Sequence, residues 1–178
     1  VSDTWLIDAN VISLLFEADA EVALSNALAN GLSLATTKRV LEEVLRSHPI
    51  KKPWVTRARP WKTHPPVPVR DMDLGGLVHT RWRALRRRYA PADVDGLRDD
   101  GELTCIAHAA EDPNLVLVSH DRNATWWALH ELRPLPRIAS AVVFFDMLVH
   151  VGALDAAARS RLGALTSLRD HLPTWWSA

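Results

Sequence analysis

The chain has 178 residues, 48% of them hydrophobic, which suits one domain with a packed core and room for an insertion. No apolar run approaches the roughly 20 residues of a membrane-spanning helix, no signal-peptide-like stretch precedes the first strand-like run, and the lone Cys105 excludes an intrachain disulfide or a cysteine zinc site. The expectation is a cytoplasmic protein with no membrane role. The 21 basic and 21 acidic residues cancel but are sorted: the stretch from Arg46 to Arg88 holds twelve Lys or Arg against only Asp71 and Asp73. Either that segment forms a local nucleic-acid surface, or it pairs with the acidic body.

In chain order, Thr4-Trp5-Leu6-Ile7 is apolar and β-prone and stops at Asp8, which predicts a short buried strand with Asp8 at its carboxyl end. Val11 to Phe16 and Ala20 to Asn30 predict helices, with Gly31 as a stop. Leu32 to Ala35 predicts a second strand, and Arg39 to Ser47 a helix capped by Thr36 or Thr37, with Val40, Leu41 and Val44 on one side. From His48 to Arg70 fall six of the eleven prolines, which disfavours helix and favours extended, polyproline-like backbone. A helix resumes over Leu77 to Tyr89 and carries five arginines. The run Asp99-Asp100-Gly101-Glu102 opens a helix with an acidic first turn. Pro113-Asn114 reads as a turn, and Leu115 to Val118 as the clearest strand, closed by Ser119-His120-Asp121. Ile138 to Val149 reads as strand then helix or as helix throughout, and Gly152 with the Ala-rich run to Leu168 as one more helix. Strands alternating with helices predict a three-layer α/β fold with a central parallel sheet, and such sheets gather functional groups beyond the carboxyl ends of their strands.

Four acids share a logic. Asp8 and Asp121 end apolar strands, Glu43 lies on the helix after the second strand, and Glu102 lies in the first turn of a helix. Singly, each has an ordinary explanation as a cap, a solvated face or a dipole complement. Jointly they would form a crowded carboxylate cluster, which is costly unless a hard cation such as Mg²⁺ or Mn²⁺ holds it together, and such a site serves phosphodiester chemistry. The chain has no Gly-rich phosphate loop and no Gly-x-Ser-x-Gly elbow, which disfavours nucleotide enzymes and serine hydrolases.

Trp5-Leu6-Ile7-Asp8-Ala9-Asn10-Val11-Ile12 resembles the opening of PIN domains, an apolar strand running into Asp-x-Asn. Val40-Leu41-Glu42-Glu43-Val44 resembles their second acidic motif. Gly101-Glu102, followed by Ile106 and Ala109, resembles the third, and Leu117-Val118-Ser119-His120-Asp121-Arg122-Asn123 the last. The motifs keep the family's order and cover roughly residues 4–46 and 97–150. Glu102 stands where Asp is commoner, Asn123 stands where some members have a further Asp, and the chain exceeds a minimal member by its Pro-rich basic segment.

The resemblance implies a PIN-like, Rossmann-like single domain over residues 1–178, with an insertion at about 48–76. It implies a Mg²⁺- or Mn²⁺-dependent endoribonuclease, in which Asp8, Glu43, Glu102 and Asp121 are catalytic and hold metal with Asp100 as a reserve ligand. Asn10, Ser119 and Asn123 would support them, and cleavage would leave a 5′-phosphate and a 3′-hydroxyl. Arg83, Arg86, Arg87, Lys51 and Lys52 would hold RNA. Many small members are toxins of toxin–antitoxin pairs, so a cognate antitoxin and a homodimer are further expected partners. The alternatives are an RNA- or partner-binding module on a weakly catalytic PIN scaffold and a DNA nuclease of the same architecture. Trp54, Trp61 and Trp82, interleaved with cations, either stack on bases or anchor the insertion.

Overall fold

Five short parallel strands form one sheet in the order β3-β2-β1-β4-β5. They are β1 (Thr4–Ile7), β2 (Leu34–Thr37), β3 (Val69–Arg70), β4 (Leu115–Ser119) and β5 (Ile138–Ser140). A computed structural model of the chain describes residues 3–46, 52–91, 99–133 and 137–165. The central strands are buried on both faces, as parallel sheets between helical layers must be, and Leu6, Ile7, Leu117 and Val118 are wholly shielded from solvent. In register, Leu6 lies beside Ala35 of β2 and Leu117 of β4, and Ile7 beside Val118. The chain moves from β1 outward to β2 and β3, then returns to the other side of β1 to lay down β4 and β5. The boundary between β1 and β4 is therefore the topological switch point of the sheet, where α/β folds open a crevice.

Helices flank this sheet: α1 (Ala9–Glu17), α2 (Val22–Ala29), α3 (Lys38–Arg46), α4 (Val55–Ala58), α5 (Leu77–Tyr89), α6 (Asp100–Glu111), α7 (Arg122–Glu131), α8 (Ala141–His150) and α9 (Ala156–Ala164). Helix α6 packs on β1, β2 and β4 and touches α3, α5 and α7, so the residues of its first turn sit among several elements. Gly31 follows α2 at φ +86°, a left-handed stop that glycine adopts without steric cost. After Gly152, also at positive φ, α9 starts behind an Asp155 cap, so the Ala-rich run is helical from Ala156 to Ala164, while Leu168 lies outside the described residues. Ile138 to Val149 resolves into β5 followed by α8, the break falling at Ser140, whose hydroxyl accepts from the Val143 N–H as a helix cap.

The Pro-rich stretch departs from the extended backbone its composition predicts. Val55–Ala58 is helical and runs into a 3₁₀ turn, Arg59–Lys62. The prolines permit this by position: Pro60 falls in the first turn of the 3₁₀ segment, where its missing N–H has no intrahelical partner to lose. What fixes the segment is packing. Trp54 (5% exposed) stacks on Phe16 at 5.1 Å between ring centroids, and Trp61 (8% exposed) meets the same ring at 4.6 Å. Such aromatic pairs contribute about 0.5–1.5 kcal/mol each beyond their buried area. Arg57 pairs with Asp19 and Glu21 and donates to the carbonyl of Phe16 at the end of α1. The segment then closes as β3, an edge strand beside Thr36 and Thr37. Two tryptophans therefore anchor the Pro-rich segment to α1 instead of facing solvent. No helix among the described residues is long and apolar enough to cross a membrane.

Candidate metal-binding active site

Asp8 is the residue immediately after β1, and three things hold it there. Its backbone N–H donates to the carbonyl of Val118 (3.1 Å), continuing the β1–β4 ladder. Its Oδ1 accepts from the Ala9 N–H (2.6 Å), so it caps α1. Its Oδ2 accepts from the Ser119 hydroxyl (2.8 Å) and from Asn10 Nδ2 (3.0 Å). Asn10 in turn accepts the His120 N–H through Oδ1 (3.0 Å), and Ser119 Oγ accepts the Asp121 N–H (3.1 Å). One hydrogen-bonded web thus joins the loops after β1 and β4, and it fixes the carboxylates of Asp8 and Asp121 relative to each other. Asp121 caps α7 by accepting from the Ala124 N–H (2.8 Å). The cap role and a place in the cluster coexist in both aspartates.

Glu43 and Glu102 reach the same place from helices. Glu43 lies over the first turn of α6, so close that a Cβ on Gly101 would come within 2.5 Å of its Oε2. Gly101 is therefore the space that Glu43 occupies. Glu102 follows one residue later and is buried. Among the described residues, neither Glu43 Oε2 nor Glu102 Oε2 has a hydrogen-bond partner, although both atoms are shielded from solvent. Two orphaned carboxylate oxygens in one crevice are an expensive arrangement for a protein to keep.

The electrostatics agree. Burial lifts Asp8 to about 7, opposed by the Ser119 hydroxyl and reinforced by the charges of Glu43 and Asp121. Burial, and then Glu102, lifts Glu43 to about 7. Burial, and then Asp8, lifts Glu102 to about 8, with Asp99 and Asp121 adding to it. Asp8, Glu43 and Glu102 are each pushed up by another carboxylate, and the charge of Asp121 acts on Asp8 and Glu102, so the four share one neighbourhood. The thiol of Cys105, wholly buried beneath them, is pushed up by burial and by Asp8 and Glu102.

The donor set suits a hard cation: oxygens only, two of them unpartnered, with Asp8 oriented by neighbouring donors. Among the described residues, no three His, Cys, Asp or Glu side chains already close around a single point as a metal shell. The carboxylates are neighbours held apart. Compared with models of known protein families, the chain matches none, and a comparison with curated proteins finds no match either.

The remaining expected residues fall into distinct places. Asp100 is buried, and its oxygens are engaged elsewhere: Oδ1 accepts from the Trp82 indole N–H (2.7 Å), and Oδ2 pairs with Arg39 (3.3 Å). It bridges α6 to α5 and α3. Asn123 is exposed in the first turn of α7. Lys51 lies outside the described residues, whereas Lys52 sits over the Trp54 ring and, like Arg46, lowers the Glu43 pKa by its charge. Arg83, Arg86 and Arg87 line a cavity of about 290 Å³ with Trp82. Arg86 stacks on the Trp82 ring, while Arg83 and Arg87 are exposed.

The sorted charge is partly consumed by the body, since Arg57, Arg70, Arg81 and Arg88 pair with Asp19, Asp112, Glu111 and Glu131. Sequence reasoning missed Asp99, which opens α6 at φ +55° and presses on both Glu43 and Glu102. The signal was the acidic run itself, in which Asp tolerates the left-handed region better than most residues.

Proposed function

We propose that the protein is a metal-dependent nuclease of the PIN type, its parallel sheet carrying a PIN-like three-layer arrangement, and that it hydrolyses RNA phosphodiesters. The observation that supports this reading is that Asp8, Glu43, Glu102 and Asp121, from four separate stretches of sequence, act on one another's charge beside the switch point of the sheet. Asp8, Glu43, Glu102 and Asp121 would hold Mg²⁺ or Mn²⁺. Bound there, such an ion supplies charge neutralisation at a phosphodiester and a more acidic water. Asn10 and Ser119 keep the Asp8 carboxylate oriented. Asp100 acts as a positioning residue that sets the Trp82 ring and, through it, the arginine-lined face of α5 beside α6. Arg83 and Arg87 bind backbone phosphate and bring the strand toward the acids.

The deciding experiment incubates purified protein with single-stranded RNA and DNA, in Mn²⁺ or EDTA, beside Asp8→Asn. Cleavage of RNA in Mn²⁺ that disappears in the variant is expected. Cleavage of DNA alone would move the substrate and keep the chemistry. A second reading, a binding module on a weakly catalytic scaffold, draws on the helix-capping work of Asp8 and Asp121. It is favoured by RNA binding without cleavage in Mn²⁺. A toxin role predicts growth arrest on induction that Asp8→Asn relieves.

A further inference from the structure

We propose that the groove between α3 and the insertion docks an acidic amphipathic segment of a partner protein. The groove encloses about 950 Å³ on the outer side of α3. Its floor is apolar, built from Leu41 and Leu45, one helical turn apart, with Pro65 and Val69 of the insertion opposite. Val69 is 37% exposed, so this floor is open to a ligand.

The rim decides the occupant. Of its charged residues, Lys38 is paired with Asp71, and Glu42 with Arg39, so the groove's own acid is already neutralised. Arg59 and Lys62 lie exposed on the rim and make no ion pair among the described residues. Arg46 closes one end. An apolar floor bordered by unneutralised cations complements a helix with an aliphatic stripe flanked by Asp or Glu. Single-stranded RNA fits less well. Among the described lining residues the aromatic ring is that of Trp61, which is turned inward onto Phe16 and offers no stacking platform.

The test measures fluorescence anisotropy with three labelled helical peptides of about 18 residues, roughly five turns. One carries Leu on one face and Glu beside it, one replaces Glu by Lys, and one keeps Glu but replaces Leu by Ser. Wild-type protein and an Arg59→Glu/Lys62→Glu variant are titrated with each. Both substitutions are at exposed positions, and circular dichroism checks the fold.

The expected result is that the Leu/Glu peptide binds wild type at least tenfold more tightly than either control. The double variant should lose at least tenfold of that affinity and gain affinity for the Leu/Lys peptide. Failure of the Leu/Glu peptide to bind, equal binding of Leu/Glu and Leu/Lys, or unchanged affinity in the variant overturns the proposal. So does a variant that loses RNA affinity and keeps peptide affinity, which makes the groove a nucleic-acid path. Self-association of wild type that the variant abolishes, seen by light scattering, also overturns it and makes the occupant a second copy. None of these readouts depends on nuclease activity.

Discussion

Asp8→Asn separates charge from shape at the centre of the cluster. An unfolded aspartate loses its proton near 3.8, and folding raises Asp8 to about 7. Between those values the folded chain holds a proton that the unfolded chain has released, so stability is fully present below 3.8 and falls as pH rises through 7. About two of the three units lie above pH 5, which at 1.36 kcal/mol per unit amounts to ~3 kcal/mol lost between about pH 5 and pH 8. Asparagine cannot ionise, so the variant escapes that loss, and it also relieves Glu102, on which Asp8 is the strongest charge acting. At pH 5 the variant should be slightly the weaker protein, by ~1 kcal/mol, because the single amide oxygen can serve either the Asn10 and Ser119 side or the Ala9 N–H, and its NH2 then meets donors on the other side. Urea unfolding of both proteins in EDTA, at about pH 5 and pH 8, measures the swing. The variant's relative stability should rise by ~3 kcal/mol across that interval. A difference that stays flat with pH would mean that Asp8 does not ionise in a buried cluster, and the electrostatic account of the site would be wrong.

Gly101→Ala places a Cβ 2.5 Å from Glu43 Oε2, so the flexible carboxylate must move while the helix stays. Mn²⁺ held by the folded chain should raise its Tm; in this variant that rise and the cleavage rate should both drop, with the Tm in EDTA little changed. An unaltered response to Mn²⁺ would remove Glu43 from the ligand set. Trp82→Phe keeps an aromatic ring and deletes the 2.7 Å bond to Asp100, and urea unfolding should register a loss of ~1.5–3 kcal/mol, the range for hydrogen bonds to charged groups. A loss under half of that would show that Arg39 alone satisfies Asp100. Arg83→Ala/Arg87→Ala should weaken RNA binding and flatten its salt dependence by up to about 0.7 in slope per lost contact. Turnover at saturating RNA should hold, and a fall in turnover with affinity intact would place these arginines at the reacting phosphate.

What could be seen in the sequence depended on whether neighbours along the chain or partners across it set the structure. Leu115 to Val118 and Thr4 to Ile7 announce themselves, since a parallel strand buried on both faces must be a continuous apolar run. The helix Leu77–Tyr89 carries its own signal in its helix-forming residues. The second strand lies two residues later than the apolar run Leu32 to Ala35 predicts, because Thr36 and Thr37 are drawn in by pairing with Val69 and Arg70 and by the Thr36 hydroxyl bond to the Ile7 carbonyl. A two-residue strand such as β3 has no pattern of its own to read. The four acids could be named from strand ends and helix positions, and in the structure their charges act on one another. The engagement of Asp100 was not legible, because its partner Trp82 lies 18 positions earlier on a different helix, and no local pattern links the two. The question left open over the tryptophans divides: Trp54 and Trp61 anchor, and Trp82 stands at the basic face.

The docking of Trp54 and Trp61 on Phe16 bears on how far this chain can be trimmed. Judged by its composition alone, the Pro-rich stretch looks dispensable. Cutting it out would uncover Phe16, now 1% exposed, and strip β2 of the short neighbour that ends the sheet. A bare apolar ring beside a sheet edge with unpaired N–H and C=O groups is a template for coalescence between molecules. A minimal version would therefore require a polar residue at position 16 and a charged or proline-bearing replacement along β2 to remain dispersed.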